Sequence, residues 1–208
     1  MRSGEFTKDH IRIRTIATLA EGRYTLRKYT VDYLRRNGTW QQLSREVYNR
    51  GDSAVVLLYC RSRGTIVLTR QFRFPVFVNG PDAGTIVEAP GGLLDGELPA
   101  AAILRETKEE TGIHLEQAQE VFVAYMNPGL LTERTHFFVA EYGPSDFRSP
   151  GGGCESEGED IEVFEVSFAT ALTMFQQQEI VDAKTILLLL YAKTQGLLDN
   201  GRCSSDNI

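Results

Sequence analysis

Apolar and polar residues alternate on both sides of Asn37-Gly38: Tyr-Thr-Leu-Arg-Lys-Tyr-Thr-Val-Asp-Tyr-Leu begins at Tyr24, and a second extended run occupies residues 40–48. Asn-Gly between alternating segments is a strong hairpin signal, so this stretch predicts a hairpin and makes the N-terminal quarter a small antiparallel sheet. Residues 1–10 show no periodicity. Beyond the break at Arg50-Gly51-Asp52, β-rich runs fall at residues 54–59 and 65–70 around a turn at 61–64, then at 84–88, 119–125, 135–142 and 161–166. Helical stretches are expected at 98–111, 168–178 and 184–195. Pro99 suits a first helical turn, and Gly112 suits the left-handed position just past a helix end.

Strands interspersed with a few helices imply an α/β fold, a mixed sheet sandwiched between helices. The division follows the composition: residues 1–50 an N-terminal β module, 51–197 the main domain, and 198–208 a polar end expected to fray. A chain of 208 residues holds one good core with room for such a module. No basic–apolar–small pattern opens it, and its longest apolar run, residues 186–192, is far too short for a membrane, so a cytoplasmic protein with no membrane partner is expected. Cys60, Cys154 and Cys203 stand at unrelated spacings, which predicts free thiols and no zinc; His10, His114 and His136 show no ligand spacing either.

Charge divides the chain unevenly. Residues 1–50 hold 11 Lys/Arg against 5 Asp/Glu, whereas residues 51–208 hold 11 against 23, giving +6 and −12. A basic segment on an acidic body can dock on that body, on a partner or on a phosphate-bearing ligand. No basic stripe with interleaved aromatics is present, which argues against nucleic acid.

Much of the negative charge sits where a helix least tolerates it. Glu106, Glu109 and Glu110 lie at three- and four-residue spacings near the end of the helix expected over 98–111. Like charges at such spacings cost roughly 0.2–0.5 kcal/mol a pair, and acids at the negative end of the helix dipole about 0.3–1 kcal/mol each. Arg105 and Lys108 offset part of this. A hard cation held by carboxylates and substrate phosphates would offset the rest. A solvated acidic face is the plain alternative for a bare Glu-x-x-Glu-Glu, and the preceding Gly-Gly turn with Glu97 and Arg105 tells against it.

Gly91, Glu97, Arg105, Glu106, Glu109, Glu110, Gly112 and Ile113 fit the Nudix box, Gly-x5-Glu-x7-Arg-Glu-U-x-Glu-Glu-x-Gly-U with U apolar. Thr107 is the one departure, and it touches packing rather than ligands. The chain therefore resembles the Nudix hydrolases. It is similar to their ADP-ribose pyrophosphatase branch through Arg70-Gln71-Phe72-Arg73, Glu88-Ala89-Pro90-Gly91-Gly92 and Pro128. Within that branch it most resembles the GDP-mannose pyrophosphatases, through Arg45-Glu46-Val47-Tyr48, Phe77-Val78-Asn79-Gly80, Gly151-Gly152-Gly153 with Glu159-Asp160-Ile161-Glu162, and the run from Lys184 to Leu189.

The resemblance implies a Nudix α/β/α sandwich and a Mg²⁺ site, with Mn²⁺ as a substitute. The implied ligands are the Gly91 carbonyl, Glu106, Glu110 and Glu159, with Glu109 in or beside the set. It implies substrate contacts from Ser44, Arg45, Glu46, Arg73, Gly91, Gly92, Leu93, Glu110, Glu133 and Lys184, and catalytic roles for Glu159, Glu106, Glu110, Glu109 and Arg105. Arginine forks suit a diphosphate, and Lys184 is a point charge. Arg45 and Arg73 also read as ordinary strand-end charges. Two departures from the family matter. The loop before Glu159 is longer than usual, which leaves Glu157 and Glu155 as alternatives. Arg23 stands, next to Tyr24, where relatives present an aromatic to the nucleotide.

The implied activity is Mg²⁺-dependent hydrolysis of a nucleoside diphosphate sugar, GDP-mannose to GMP and mannose 1-phosphate, with ADP-ribose or an ADP-sugar as the alternative. Triple glycine suggests a hinge in the acidic loop, whose plain reading is a solvated linker. The resemblance also implies a homodimer with exchanged N-terminal sheets. A nucleotide-sugar-binding regulator is the competing class, but such a protein should have lost metal carboxylates or gained a DNA-binding domain.

Overall fold

The computed structural model describes residues 7–80 and 83–198. The expected frayed end falls outside those residues apart from Leu198, which is buried, and Cys203 falls outside as well. The chain divides into two compact units, Met1–Gly51 with Asn127–Glu133, and Asp52–Met126 with Arg134–Ile208.

The first unit is an antiparallel sheet of β1 (Ile11–Glu21), β2 (Thr25–Leu34) and β3 (Trp40–Asn49), in that order. Asn37-Gly38 makes the β2–β3 turn: Gly38 has a φ of 80°, and the Asn37 side chain accepts from the Thr39 amide and hydroxyl. Strand β1 was not expected from the sequence. Its Ile-Arg-Ile-Arg start alternates, yet every one of its positions is exposed. Residues 127–133 return to this unit through the Tyr48 amide to Leu130 O (2.9 Å) and the Thr132 amide to Tyr48 O (3.2 Å).

The second unit is a mixed sheet between helices. Its elements are β4 (Ser53–Cys60), β5 (Thr65–Phe72), α1 (Phe74–Asn79), β6 (Thr85–Glu88), β7 (Gly91–Leu93), α2 (Pro99–Thr111), β8 (Gln119–Tyr125), β9 (Arg134–Glu141), β10 (Glu162–Ser167), α3 (Phe168–Gln176) and α4 (Ala183–Gln195). The strand order is β10-β5-β4-β9-β8, with β6 beside β5 and β7 beside β4. Only the β4–β9 pair is parallel among the described residues. Strand β7 stands where the sequence suggests a glycine turn, and the short helix α1 stands in a stretch for which it suggests no element.

All eight residues of β4 are buried, because helices cover both faces of the sheet. Ala54, Val56 and Leu58 pack with Ile103 of α2, while Val55, Leu57 and Tyr59 pack with Ala171 of α3 and with Leu188 and Leu189 of α4. Each fully buried Leu, Ile or Phe contributes about 1.5–3 kcal/mol, so these two clusters hold the sandwich together. Helix α2 starts at Pro99 and ends at Gly112, whose φ is 71°. A Cβ at Gly112 would also lie 1.9 Å from Ser149 O, so conformation and space both demand glycine. Asp182 caps α4 by accepting from the Thr185 amide at 2.8 Å. No helix among the described residues is long and apolar enough to cross a membrane.

Candidate functional site

Strand β7 brings the Gly-Gly turn alongside β4, with Gly91 opposite Val55, Gly92 opposite Ala54 and Leu93 opposite Ser53. A Cβ on Gly91 would meet Ala54 O at 2.2 Å, which is why the chain has none there. The Gly91 amide donates to Glu110 Oε2 at 2.9 Å. A Cβ on Gly92 would fall 2.3 Å from Glu106 Oε1, so the second glycine leaves room for that carboxylate.

Glu110 is 2% exposed. Burial pushes its pKa up to about 8, against the Gly91 amide that favours the charge, and the neighbouring Glu106 and Glu159 raise it further. Glu106 is pushed up to about 7, again chiefly by burial, with Arg105 opposing. Arg105 spans the outer side of the helix: Nε donates to Glu97 Oε1 at 2.8 Å, and Nη1 lies 3.0 Å from Glu106 and 2.9 Å from Glu109. Glu106 and Glu109 are thus paired with Arg105, whereas Glu110 has no cationic hydrogen-bonding partner among the described residues.

Thr107, the departure from the box, is fully buried and donates its hydroxyl to Ile103 O at 2.6 Å. The hydroxyl is satisfied inside the helix and the methyl still packs, so the apolar role of the position survives.

The acidic loop is docked on the end of α2. The amides of Gly152 and Gly153 donate to Glu110 O at 2.8 Å and Glu109 O at 3.1 Å, and the Arg148 amide donates to Gly112 O. A helix leaves its last carbonyls without partners, and these glycines supply them. Gly151 and Gly153 have φ values of 70° and 84°, and a Cβ on Gly151 would meet Glu110 O at 2.4 Å. The triple glycine is therefore a cap, where the sequence suggested a hinge. It also delivers Glu159, whose Oε2 accepts from the Cys154 amide at 2.8 Å and whose charge acts on both Glu106 and Glu110. Glu155 lies in an exposed turn of 3-10 helix, and the side chain of Glu157 is outside the described residues.

On the neighbouring edge, Glu88 closes β6 at 4% exposure. It accepts from Arg73 Nε at 2.7 Å and faces Lys184 Nζ at 3.5 Å. Lys184 Nζ also donates to Asp182 at 2.6 Å. Arg73 and Lys184 were singled out from the sequence, but the carboxylate joining them was not. It is separated from them by 15 and 96 residues, and only the fold brings the three together.

The remaining sequence candidates lie in the first unit. Ser44, Arg45 and Glu46 are exposed on β3, with Arg45 Nη1 donating to Ser44 O. Arg23 sits in the β1–β2 turn, its guanidinium 5.6 Å from the Tyr24 ring centroid. Glu133 is 7% exposed and lies 3.3 Å from Arg50 Nε.

The donor set fits a hard divalent cation. It is made of carboxylate oxygens, and a cation would lower the cost of ionising Glu110 and Glu106. Among the described residues no three such side chains are yet drawn tightly enough to enclose an ion. Glu159 is turned to the Cys154 amide and Glu106 toward Arg105, so both must reorient to share one.

Known proteins agree with this architecture. Residues 10–48 match the GDP-mannose pyrophosphatase NudK N-terminal domain, and residues 49–185 match the NUDIX domain. The chain is 46% identical over 183 residues to the GDP-mannose pyrophosphatase of Pectobacterium atrosepticum, covering 88% of this chain and 94% of that protein. It is 46% identical over 181 residues to that of Salmonella typhimurium and 44% over 181 residues to that of Escherichia coli, covering 87% of this chain and 94% of the relative in each case. With box, sandwich and N-terminal module all accounted for, the chain belongs to the Nudix family of hydrolases.

Proposed function

We propose that the protein hydrolyses GDP-mannose to GMP and mannose 1-phosphate at the carboxylate cluster of α2, using Mg²⁺ with Mn²⁺ as a substitute. The buried Glu110 and the half-buried Glu106, beside Glu159, are the observation that carries this reading. Glu106, Glu110, Glu159 and the Gly91 carbonyl are the proposed ligands, with Glu109 beside them. A bound cation would neutralise diphosphate oxygens and favour hydroxide over water. Glu159 positions the attacking water and takes its proton. The water oxygen bonds to one phosphorus as the bridging P–O bond breaks, and the leaving phosphate departs with the bridging oxygen. Arg105 holds Glu106 and Glu109 in place, while Arg73 and Lys184 face the diphosphate and Gly92 and Leu93 line its approach.

Ser44, Arg45, Glu46, Glu133 and Arg23 are proposed as further substrate contacts on the strength of the family likeness. A homodimer with exchanged N-terminal sheets is part of the same reading. Ile13, Ile16 and Leu19 support it, being 59%, 55% and 48% exposed on β1, more apolar surface than one strand ordinarily leaves to water. A cytoplasmic setting is supported by the free thiols of Cys60 and Cys154. The retained carboxylates favour an enzyme over a ligand-binding regulator.

The test is product formation from GDP-mannose, ADP-ribose and ADP-glucose, each with Mg²⁺ and with EDTA. Mg²⁺-dependent GMP release strongest on GDP-mannose is expected. Preference for an adenine substrate overturns the nucleotide assignment, and inactivity on all three overturns the activity.

A further inference from the structure

Lys184 occupies an unfavourable place. It is the second residue of α4, where the helix dipole is positive and a cation is destabilised. Two carboxylates offset this. Asp182 is 2.6 Å from Nζ, but its other oxygen is committed to capping the helix through the Thr185 amide and hydroxyl. Glu88 is the second, and it arrives from a different element.

Glu88 is buried deeply enough that its ionised form needs partners, since an unpaired buried carboxylate is strongly destabilising. Among the described residues its hydrogen bond with Arg73 runs through Nε, which leaves the two terminal nitrogens of the guanidinium for another acceptor. Arg73 and Lys184 are 40% and 30% exposed at their side chains, whereas Glu88 is 5% exposed. The arrangement is an anionic pivot inside, with two cationic heads reaching outward. Arg73 also exerts its charge on Glu110, which places it toward the α2 carboxylates. The pivot is also braced between the two elements. Thr185 of the same α4 turn accepts from the Ala89 amide at 2.7 Å, tying the residue after Glu88 to the residue after Lys184.

We propose that Glu88 is a positioning residue for substrate, holding Arg73 and Lys184 as a preformed two-cation clamp for the diphosphate. This rests on the diphosphate-hydrolase reading above. Fixing both cations before binding avoids ordering two long side chains at the moment of binding. Glu88 makes no contact with the substrate. It acts through the two side chains it orients, so its loss should weaken ground-state binding more than the chemical step.

The experiment compares steady-state kinetics on GDP-mannose for the wild type, Glu88→Gln, Glu88→Asp, Arg73→Ala/Lys184→Ala, and that double variant carrying Glu88→Gln. Glu88→Gln is expected to raise KM at least tenfold and to lower kcat less than threefold. Glu88→Asp should restore part of the affinity. In the Arg73→Ala/Lys184→Ala background, Glu88→Gln should change KM less than twofold, because the groups it orients are gone. An unchanged KM in Glu88→Gln overturns the proposal, as does an equal rise in both backgrounds.

Calorimetric binding of magnesium pyrophosphate to the same variants separates this from the functional reading. If the wild type hydrolyses no nucleotide sugar, pyrophosphate affinity still reports on the clamp. A tenfold loss in Glu88→Gln that vanishes in the double background supports it, and equal affinity overturns it. Should Glu88→Gln fail to fold, Glu88→Asp carries the same comparison with a smaller expected effect.

Discussion

Two helices of the second unit carry charge at the wrong end. The last turns of α2 hold three glutamates at the negative pole, and the first turn of α4 holds Lys184 at the positive pole. The fold treats them differently. Around Lys184 the opposing charges of Asp182 and Glu88 come from the protein itself. Around α2, Arg105 serves the outer glutamates, and Glu110 accepts from the Gly91 amide with Arg73 acting on it only through its charge, which leaves its pKa at about 8. A charge offset from within indicates a part that is held ready, whereas one left costly indicates a part that a ligand completes.

The largest expected effect breaks this contrast at its costly end. Glu110→Gln keeps the shape and an acceptor for the Gly91 amide, so it should fold and yet lose turnover at least a hundredfold, about 2.7 kcal/mol of barrier. Steady-state rates beside a thermal melt would show it, and normal turnover would sink the metal-site assignment. Gly112→Ala comes next. The left-handed backbone and the close approach of Ser149 O should lower stability by more than about 1 kcal/mol, read from urea unfolding. A change too small to detect would mean that the acidic loop is not pinned to the helix end.

The costly carboxylates also fix a pH dependence. Glu110 and Glu106 have folded-state pKa values of about 8 and about 7, above the ordinary 4.5. Between those limits the folded protein binds more protons than the unfolded chain, so metal-free stability should fall as pH rises from about 4.5 to 8. Melts in EDTA across that range should show the slope, and Glu110→Gln should flatten it. Mg²⁺ should oppose it increasingly toward high pH, since cation and proton compete for the same oxygens.

On the self-compensated side, Asp182→Ala removes the cap of α4 and one of the two partners of Lys184. A loss of about 0.5–2 kcal/mol is expected, with KM for the diphosphate substrate rising less than in Glu88→Gln. Thr107→Val should be the mildest change, within about 1.5 kcal/mol either way, the net worth of one hydrogen bond, because the hydroxyl it removes donates to Ile103 O of its own helix. A larger loss by urea unfolding would show that this departure from the family pattern matters.

How much of this could be read from the chain varies with the range of the interaction. Helix α2 was legible to within a residue, because Pro99 and Gly112 mark its ends and its glutamates are spaced on one turn. The hairpin at Asn37-Gly38 and the run that became β4 were legible for the same local reason. Strand β1 is not legible, although Ile11, Arg12, Ile13 and Arg14 alternate, because all of its positions are exposed and no buried face sets it apart. Helix α1 is six residues with proline in its first turn, too short to display a period. The capping by Gly152 and Gly153 and the pivot at Glu88 depend on contacts between distant segments, which no local pattern encodes.

The docking of the acidic loop bears on protein engineering. Its near side is tied to the helix end through Arg148, Gly152 and Gly153, and its far side returns through the Ile161 amide to Gly152 O at 3.1 Å. Between these anchors Glu155 and Ser156 are exposed, and among the described residues neither makes a backbone hydrogen bond to α2. Ser156 is therefore the place to graft a fluorophore or a short peptide tag, and the same graft between Gly151 and Gly153 would pull the end of the helix apart.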